Sequence, residues 1–346
     1  MSDHANEAGR AKLQSVQNWI GRMRPSLTEI ASINAQIKML GLNARLEARR
    51  AGNAGRAFGV VAEELGKLSH RTAACAGQLT QDIDGFLRQM QDAEIVSTGQ
   101  RLSDLALNTI ELMDRNLYER SCDVRWWATD AALWTACANT RDALKARLAS
   151  ERLATILRSY TVYSDLILLD LSGRVLAGAG DTANHLIGKV THKATWFSAA
   201  SRLESGEEFA VQDVEYDSIF ETVAPIYSAA IREGGTERGH VIGVLAIVFD
   251  WSTQTQRVMR GLRLDPSEHE RTRCVVFNKA GVVITSSDGM GVLTESLEHL
   301  EGVRRAMGGE KGFCVETGGA LTAYAHTPGY ETYRGLGWSC AFLRKP

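Results

Sequence analysis

Six cysteines, eight histidines and 41 acidic residues stand in this 346-residue chain, enough for a metal centre or a nucleophilic site if their spacing brought them together. It does not. Cys75, Cys122, Cys137, Cys274, Cys314 and Cys340 are scattered without a C-x-x-C pair, so no zinc knuckle or redox dithiol motif is visible and buried reduced thiols are expected. His269 and the acids of SEHER (267–271) lack a second histidine at ligand spacing and read as a solvated turn. GAGD (178–181) lacks the third glycine of a nucleotide loop. No nucleophile with its base, H-E-x-x-H, phosphate loop or dinucleotide fingerprint stands out. The expectation is a non-enzymatic chain with no metal and no cofactor.

What remains is recognition. A net charge of -2 and a pI near 6.5 argue against nucleic acid or an anionic membrane as the dominant partner. The longest apolar run, VIGVLAIVF (241–249), is far short of the ~20 residues that span a bilayer, and the N-terminus has no signal-peptide core. No transmembrane segment and a cytoplasmic location are expected. The feature that stands out is LNARLEARRAGNAGRAFGVVAEEL (42–65), which carries Arg45, Arg49, Arg50 and Arg56 to a Gly-Asn-Ala-Gly bend.

The flanks of that bend explain its position. Ile30, Ile33, Ile37, Leu40 and Ala44 step by three and four residues, and Phe58, Val61, Leu65, Leu68, Thr72, Cys75 and Leu79 resume the rhythm; this spacing predicts a coiled-coil seam joining two antiparallel arms. SLTE (26–29) fits a capping box at the start of the first arm. A two-helix hairpin buries one stripe and is not stable alone, so a homodimer forming a four-helix bundle is expected. On composition alone the arms are a dimerisation stalk and the arginines a solvated face.

The segment INAQIKMLGLNARLEARRAGNAGRAFGVVAEELGKLSHRTA (33–74) resembles, without a gap, the signalling tip of methyl-accepting chemotaxis proteins. The resemblance is carried by the LNA, EA-RAG and GR-F-VVA blocks around Gly52 and Gly55. It implies a hairpin whose flank binds a chemotaxis histidine kinase and its coupling adaptor through Met39, Leu42, Leu46, Arg56 and Val60, and whose inter-dimer contacts use Glu47 and Arg50. The chain departs from the family pattern at Ala35, Ile37-Lys38, Arg45 and Asn53, and its arms are too short for an adaptation bundle.

From Gln100 to Tyr160 the pattern predicts one long helix and at least one shorter one, with DAEIVSTGQ (92–100) as a possible hinge. In RSCDVRWWATDAALW (120–134) helical core packing is expected, with Arg125 paired to Asp123 or Asp130 as the alternative. The period then changes. YSDLILLDLSGRVLAGAG (163–180) reads as strand, D-L-S-G turn and strand, and RCVVFNKAGVVITSSDG (273–289) repeats it around N-K-A-G. GHVIGVLAIVFDW (239–251) and GLGWSCAFL (335–343) close the two units with apolar strands. The predicted class is α+β: a helical hairpin over 1–95, then 96–346 with a long helix and two tandem antiparallel-sheet units at about 155–255 and 256–346.

This second part is similar to the double Cache (PAS-like) sensor domain, through LLDLSGRVLAG, TWFSAA (195–200), VAPIY (223–227) and GVLAIVFD (243–250). The resemblance implies a small-molecule ligand in the first unit and places Lys193, Trp196, Phe197, Tyr216 and Asp250 at ligand-binding positions. Ala194 stands where amino-acid-binding relatives carry arginine, so the resemblance supports no claim for an amino-acid ligand. Simple core packing is the competing role for Trp196 and Phe197, and strand-end capping for Asp250. The expected function is a chemoreceptor-like signal transducer, with the sensor following the tip instead of preceding it. The alternatives are a dimeric scaffold with a vestigial tip, or an enzyme with an acid–base pair in its α+β part.

Overall fold

A computed structural model describes residues 2–191 and 193–346. The chain divides into two compact units, Met1–Ser97 and Thr98–Pro346.

In the first unit, helix α1 (Ser2–Arg50) and the start of helix α2 (Arg56–Trp127) flank a 3-10 turn, Gly52–Gly55. The seam between the arms follows the predicted stripe only in part: Ile37, Ala44 and Thr72 are half-buried, but the fully buried positions are others. Ile20, Leu27, Asn34 and Gly41 are buried at intervals of seven residues, and Gly55, Ala62, Ser69 and Ala76 are buried at the same interval on the returning arm. Small side chains let the two backbones approach closely. In the middle of the seam Asn34 Nδ2 donates to the Ser69 carbonyl (2.8 Å) and Ser69 Oγ donates to the Asn34 carbonyl (3.3 Å), a polar pairing that fixes register.

The larger stripe faces outward: Leu40 is 66%, Phe58 73% and Leu68 57% exposed. Both patterns have helical period, and period alone does not say which of two neighbouring faces meets the other arm; side-chain size decides it. A further correction concerns a local signal. Ser26 does not start a helix, because α1 runs through Pro25 without a break, with only one backbone donor missing from its ladder. Residues 92–100 lie within α2, which is uninterrupted there.

In the second unit, Leu102, Ala106, Ile110, Met113, Leu117 and Val124 of α2 are buried at three-and-four spacing, forming the stripe that packs into the core. Helices α3 (Ala131–Ala138) and α4 (Ala143–Ser159) follow, each N-capped by an aspartate, Asp130 and Asp142. The first sheet contains β1 (Tyr163–Asp170), β2 (Val175–Ala179), β3 (Ala210–Asp217), β4 (Thr222–Arg232) and β5 (Val241–Phe249) in the order β2-β1-β5-β4-β3. Helices α5 (Asp181–Leu186) and α6 (Thr195–Ala200) lie between β2 and β3 in the chain. After α7 (Trp251–Arg260) and α8 (Pro266–His269), the second sheet repeats the plan. It contains β6 (Thr272–Phe277), β7 (Val283–Ser286), β8 (Lys311–Val315), β9 (Leu321–His326) and β10 (Ser339–Arg344), ordered β7-β6-β10-β9-β8, with helix α9 (Glu301–Met307) between β7 and β8. Every pairing is antiparallel.

The repeat extends to the turns. Asp170 Oδ1 accepts from the Ser172 and Arg174 amides and Asn278 Oδ1 from the Ala280 and Val282 amides. Each turn is completed by a glycine at positive φ, Gly173 at 78° and Gly281 at 70°.

SEHER is not a solvated turn. Glu268 is 3% exposed in α8 and forms ion pairs with Arg101 and Arg344. The thiols are not all buried either, since Cys75 is exposed and Cys122 and Cys314 are half-buried.

Candidate functional site

At the bend, Arg50 Nη1 donates to Glu47 Oε1 (2.9 Å), and both side chains are mostly in water. Gly55 closes the reversal: a Cβ there would lie 2.2 Å from the Ala48 carbonyl oxygen, a distance only glycine avoids. Met39, Leu42, Leu46 and Val60 are 59%, 52%, 52% and 64% exposed, and Arg56, the first residue of α2, is exposed beside them. Met39 and Leu42 line a groove of about 930 Å³ between the arms, together with Lys38, Arg45, Lys67 and His70, while Leu46, Arg56 and Val60 lie outside its wall. The surface combines apolar patches with fixed positive charge, and so suits protein docking better than bond-making chemistry.

In the sensor-like unit the five expected ligand residues differ in burial and partners. Trp196 and Phe197 of α6 are buried with their rings 6.5 Å apart. Lys193 is exposed in the turn before α6, and Tyr216 is 61% exposed on β3. Asp250 caps α7, accepting from the Thr253 amide, and its own amide bonds to the Val162 carbonyl.

The Trp196 indole Nε1 donates to Asp217 Oδ2 (3.2 Å), which also accepts from Gln212 Nε2, while Asp217 Oδ1 takes the Ile219 and Phe220 amides. Thr195 Oγ1 donates to Gln212 Oε1, and Ser228 Oγ to the Trp196 carbonyl. Sequence reasoning missed Gln212, Asp217 and Ser228. Its one available signal was the polar side chains alternating along QDVEYD, whose partner lies 16 or more residues away in the chain.

The same strands also meet the segment between β9 and β10. Asp213 Oδ1 accepts from Trp338 Nε1 (2.9 Å), and the Tyr227 hydroxyl meets that of Tyr333 (3.1 Å). On α2, Asp114 accepts from the Thr327 hydroxyl and the Gly329 amide. Burial raises the Asp114 carboxyl above its ordinary value despite those bonds. The folded state therefore binds this proton more tightly than the unfolded chain, so its contribution to stability falls as pH rises through the window above the ordinary carboxylate value of 3.8. Asp114→Asn lacks this term. Its thermal midpoint minus that of wild type should become more positive with rising pH across the window, and a constant difference would refute the assignment.

Arg125 forms no ion pair with Asp123 or Asp130. Asp123 is taken by Arg120 and the Tyr163 hydroxyl, and Asp130 by Arg152. Arg125 instead donates to the Ser121 and Glu207 carbonyls. Among the described residues there is no cluster of three or more His, Cys, Asp or Glu side chains suited to a metal, and no helix long and apolar enough to cross a membrane.

The bend geometry has a counterpart among known proteins. Residues 7–120 match the methyl-accepting chemotaxis protein signalling domain. The N-terminal part of this chain is similar to that signalling domain. The methyl-accepting chemotaxis protein McpN of Pseudomonas aeruginosa is 45% identical over 80 residues, 23% of this chain and 14% of McpN. PctB of the same organism is 34% identical over 108 residues, 31% of this chain and 17% of PctB. The matched stretch thus spans less than a fifth of either relative.

Beyond the signalling domain the likeness is one of fold. The ligand-binding domain of the Campylobacter jejuni chemoreceptor Tlp3, solved with 4-methylisoleucine, superposes with a TM-score of 0.53 at 16% identity, covering 72% of this chain and 91% of that one. The ligand-binding domain of the Pseudomonas aeruginosa chemoreceptor PctC, solved with GABA, gives 0.50 at 16% identity, covering 72% of this chain and 100% of that one. The long helix and two repeated antiparallel sheets share the fold of those two solved domains.

Proposed function

We propose that this chain is a cytoplasmic chemoreceptor-like transducer, in which a small molecule held by the first sheet unit regulates a chemotaxis histidine kinase through the hairpin tip and a coupling adaptor. It works as a homodimer and catalyses no covalent reaction. The observation that carries this reading is the tip: Met39, Leu42, Leu46 and Val60 are each more than half exposed beside Arg56 at a glycine-closed bend. The outward stripe of Leu40, Phe58 and Leu68 supports the dimer, because apolar side chains exposed in a row along both arms call for a second hairpin to cover them. The ligand sits under α6, where Thr195, Gln212, Asp217 and Ser228 supply polar groups next to Trp196. Tip couplings of ~1–3 kcal/mol are within reach of a few repacked side chains.

The reading is tested by capture of the adaptor from purified components. Arg56→Glu should bind about 10-fold more weakly than wild type, which corresponds to ~1.4 kcal/mol. Equal and negligible capture by both would instead make the tip a vestigial dimerisation element.

A further inference from the structure

A second cavity, of about 120 Å³, is lined by two arginines, Arg125 from the C-terminal end of α2 and Arg232 from the end of β4. The rest of its wall is alanine, glycine and threonine, apart from Glu207 and Glu237. Arg232 is 6% exposed. Its Nη1 donates to the Gly239 carbonyl (2.9 Å), its Nη2 to the Leu203 carbonyl (2.5 Å), and its Nε has no partner. Arg125 is half-buried, lies 5.6 Å from the Phe209 ring centroid, and bonds only to carbonyls and the Cys122 sulfur.

Among the described residues neither guanidinium has a carboxylate within 4.0 Å; Glu207 and Glu237 are exposed, and Glu237 is 3.9 Å from Arg238. A buried guanidinium facing only carbonyl dipoles retains its full charge, and buried charges are ordinarily paired. Here two cations line one small cavity whose own carboxylates, Glu207 and Glu237, are exposed and form no ion pair with either of them. We propose that this cavity binds a small oxyanion, a carboxylate or a tetrahedral phosphate-type group, held between Arg125 and Arg232.

The volume suits that class, since organic ligands of drug size occupy roughly 300–1,000 Å³, well above the 120 Å³ here. Guanidinium groups suit carboxylate and phosphate oxygens, and Arg232 Nε is the buried donor here with no partner. The site is distinct from the position under α6 and does not depend on it. Its bound anion ties the end of α2 to the β4–β5 connection, so occupancy acts directly on the long helix.

The test is the thermal midpoint of the full chain in sodium phosphate, sulfate or acetate, each against sodium chloride of equal ionic strength. At ~100 times its Kd the bound anion should raise the midpoint by about 5–10 °C. Response to phosphate and sulfate alone assigns a tetrahedral group, and response to acetate alone a carboxylate. Arg125→Gln, whose side chain is only half-buried, should fold and weaken the response at least 10-fold. Midpoints that follow ionic strength alone, or an undiminished shift in Arg125→Gln, overturn the proposal. Because the α6 position uses neither arginine, failure here leaves the proposed sensor ligand standing, and a ligand response preserved in Arg125→Gln belongs to α6.

Discussion

Gly55→Ala should open the hairpin bend. The added Cβ would stand 2.2 Å from the Ala48 carbonyl oxygen and 3.0 Å from its Cα, all of it backbone that cannot rotate away. Overpacking normally costs about 1–3 kcal/mol, and a clash this short against main chain belongs at or beyond the upper end. The expected result is loss of the cooperative melting of the hairpin and of adaptor capture, while the melting of Thr98–Pro346 is unchanged. Two controls separate the clash from propensity. Gly52 has φ of 59° with open space around it, so Gly52→Ala pays only backbone strain of roughly 1–2 kcal/mol. Gly66 is helical, also with open space, and Gly66→Ala should be neutral or slightly stabilising. Equal melting of the Gly55 and Gly52 variants would show that the bend is not closed by this contact.

Trp196→Ala carries the second large effect. The side chain is 1% exposed and packs against Phe197 and Phe220, so truncation should cost about 3–5 kcal/mol. It also removes one donor from Asp217, a buried carboxylate left with Gln212 and two amides. Trp196→Phe separates the two contributions: most of the ring is retained and the hydrogen bond is lost, for about 1–3 kcal/mol. Denaturant unfolding followed on both variants measures them. A loss under 1 kcal/mol in Trp196→Ala would mean that α6 is loosely seated and that the tryptophan is not part of the sealed layer under it.

The two sheet units were readable because their signals are local. The strand-turn-strand pattern needs only neighbouring residues, and the aspartate of D-L-S-G and the asparagine of N-K-A-G do the same work in their turns. The hairpin and its bend were readable for the same reason, but not its seam: Gly41, Ala62 and Ser69 are too small to register as apolar periodicity, while Leu40, Phe58 and Leu68 register strongly and face out. The candidate ligand site was legible only at Trp196 and Phe197. Asp217 is joined to Trp196 across 21 positions, Trp338 to Asp213 across 125, and Tyr333 to Tyr227 across 106, separations at which spacing carries no information. Arg125 shows that nearness in sequence does not assign partners either, since the acids close to it are claimed by Arg120 and Arg152.

A pleated strand sends consecutive side chains to opposite sides, and β3 and β4 each do so at a sensitive place. Gln212 belongs to the Trp196 network while the next residue, Asp213, holds Trp338; Ser228 holds the Trp196 backbone while the preceding residue, Tyr227, reaches Tyr333. One peptide plane separates each pair. Any solute that pushes on the near member therefore tugs on the far one, so news of its arrival crosses the sheet through its thickness, with no long detour along the chain.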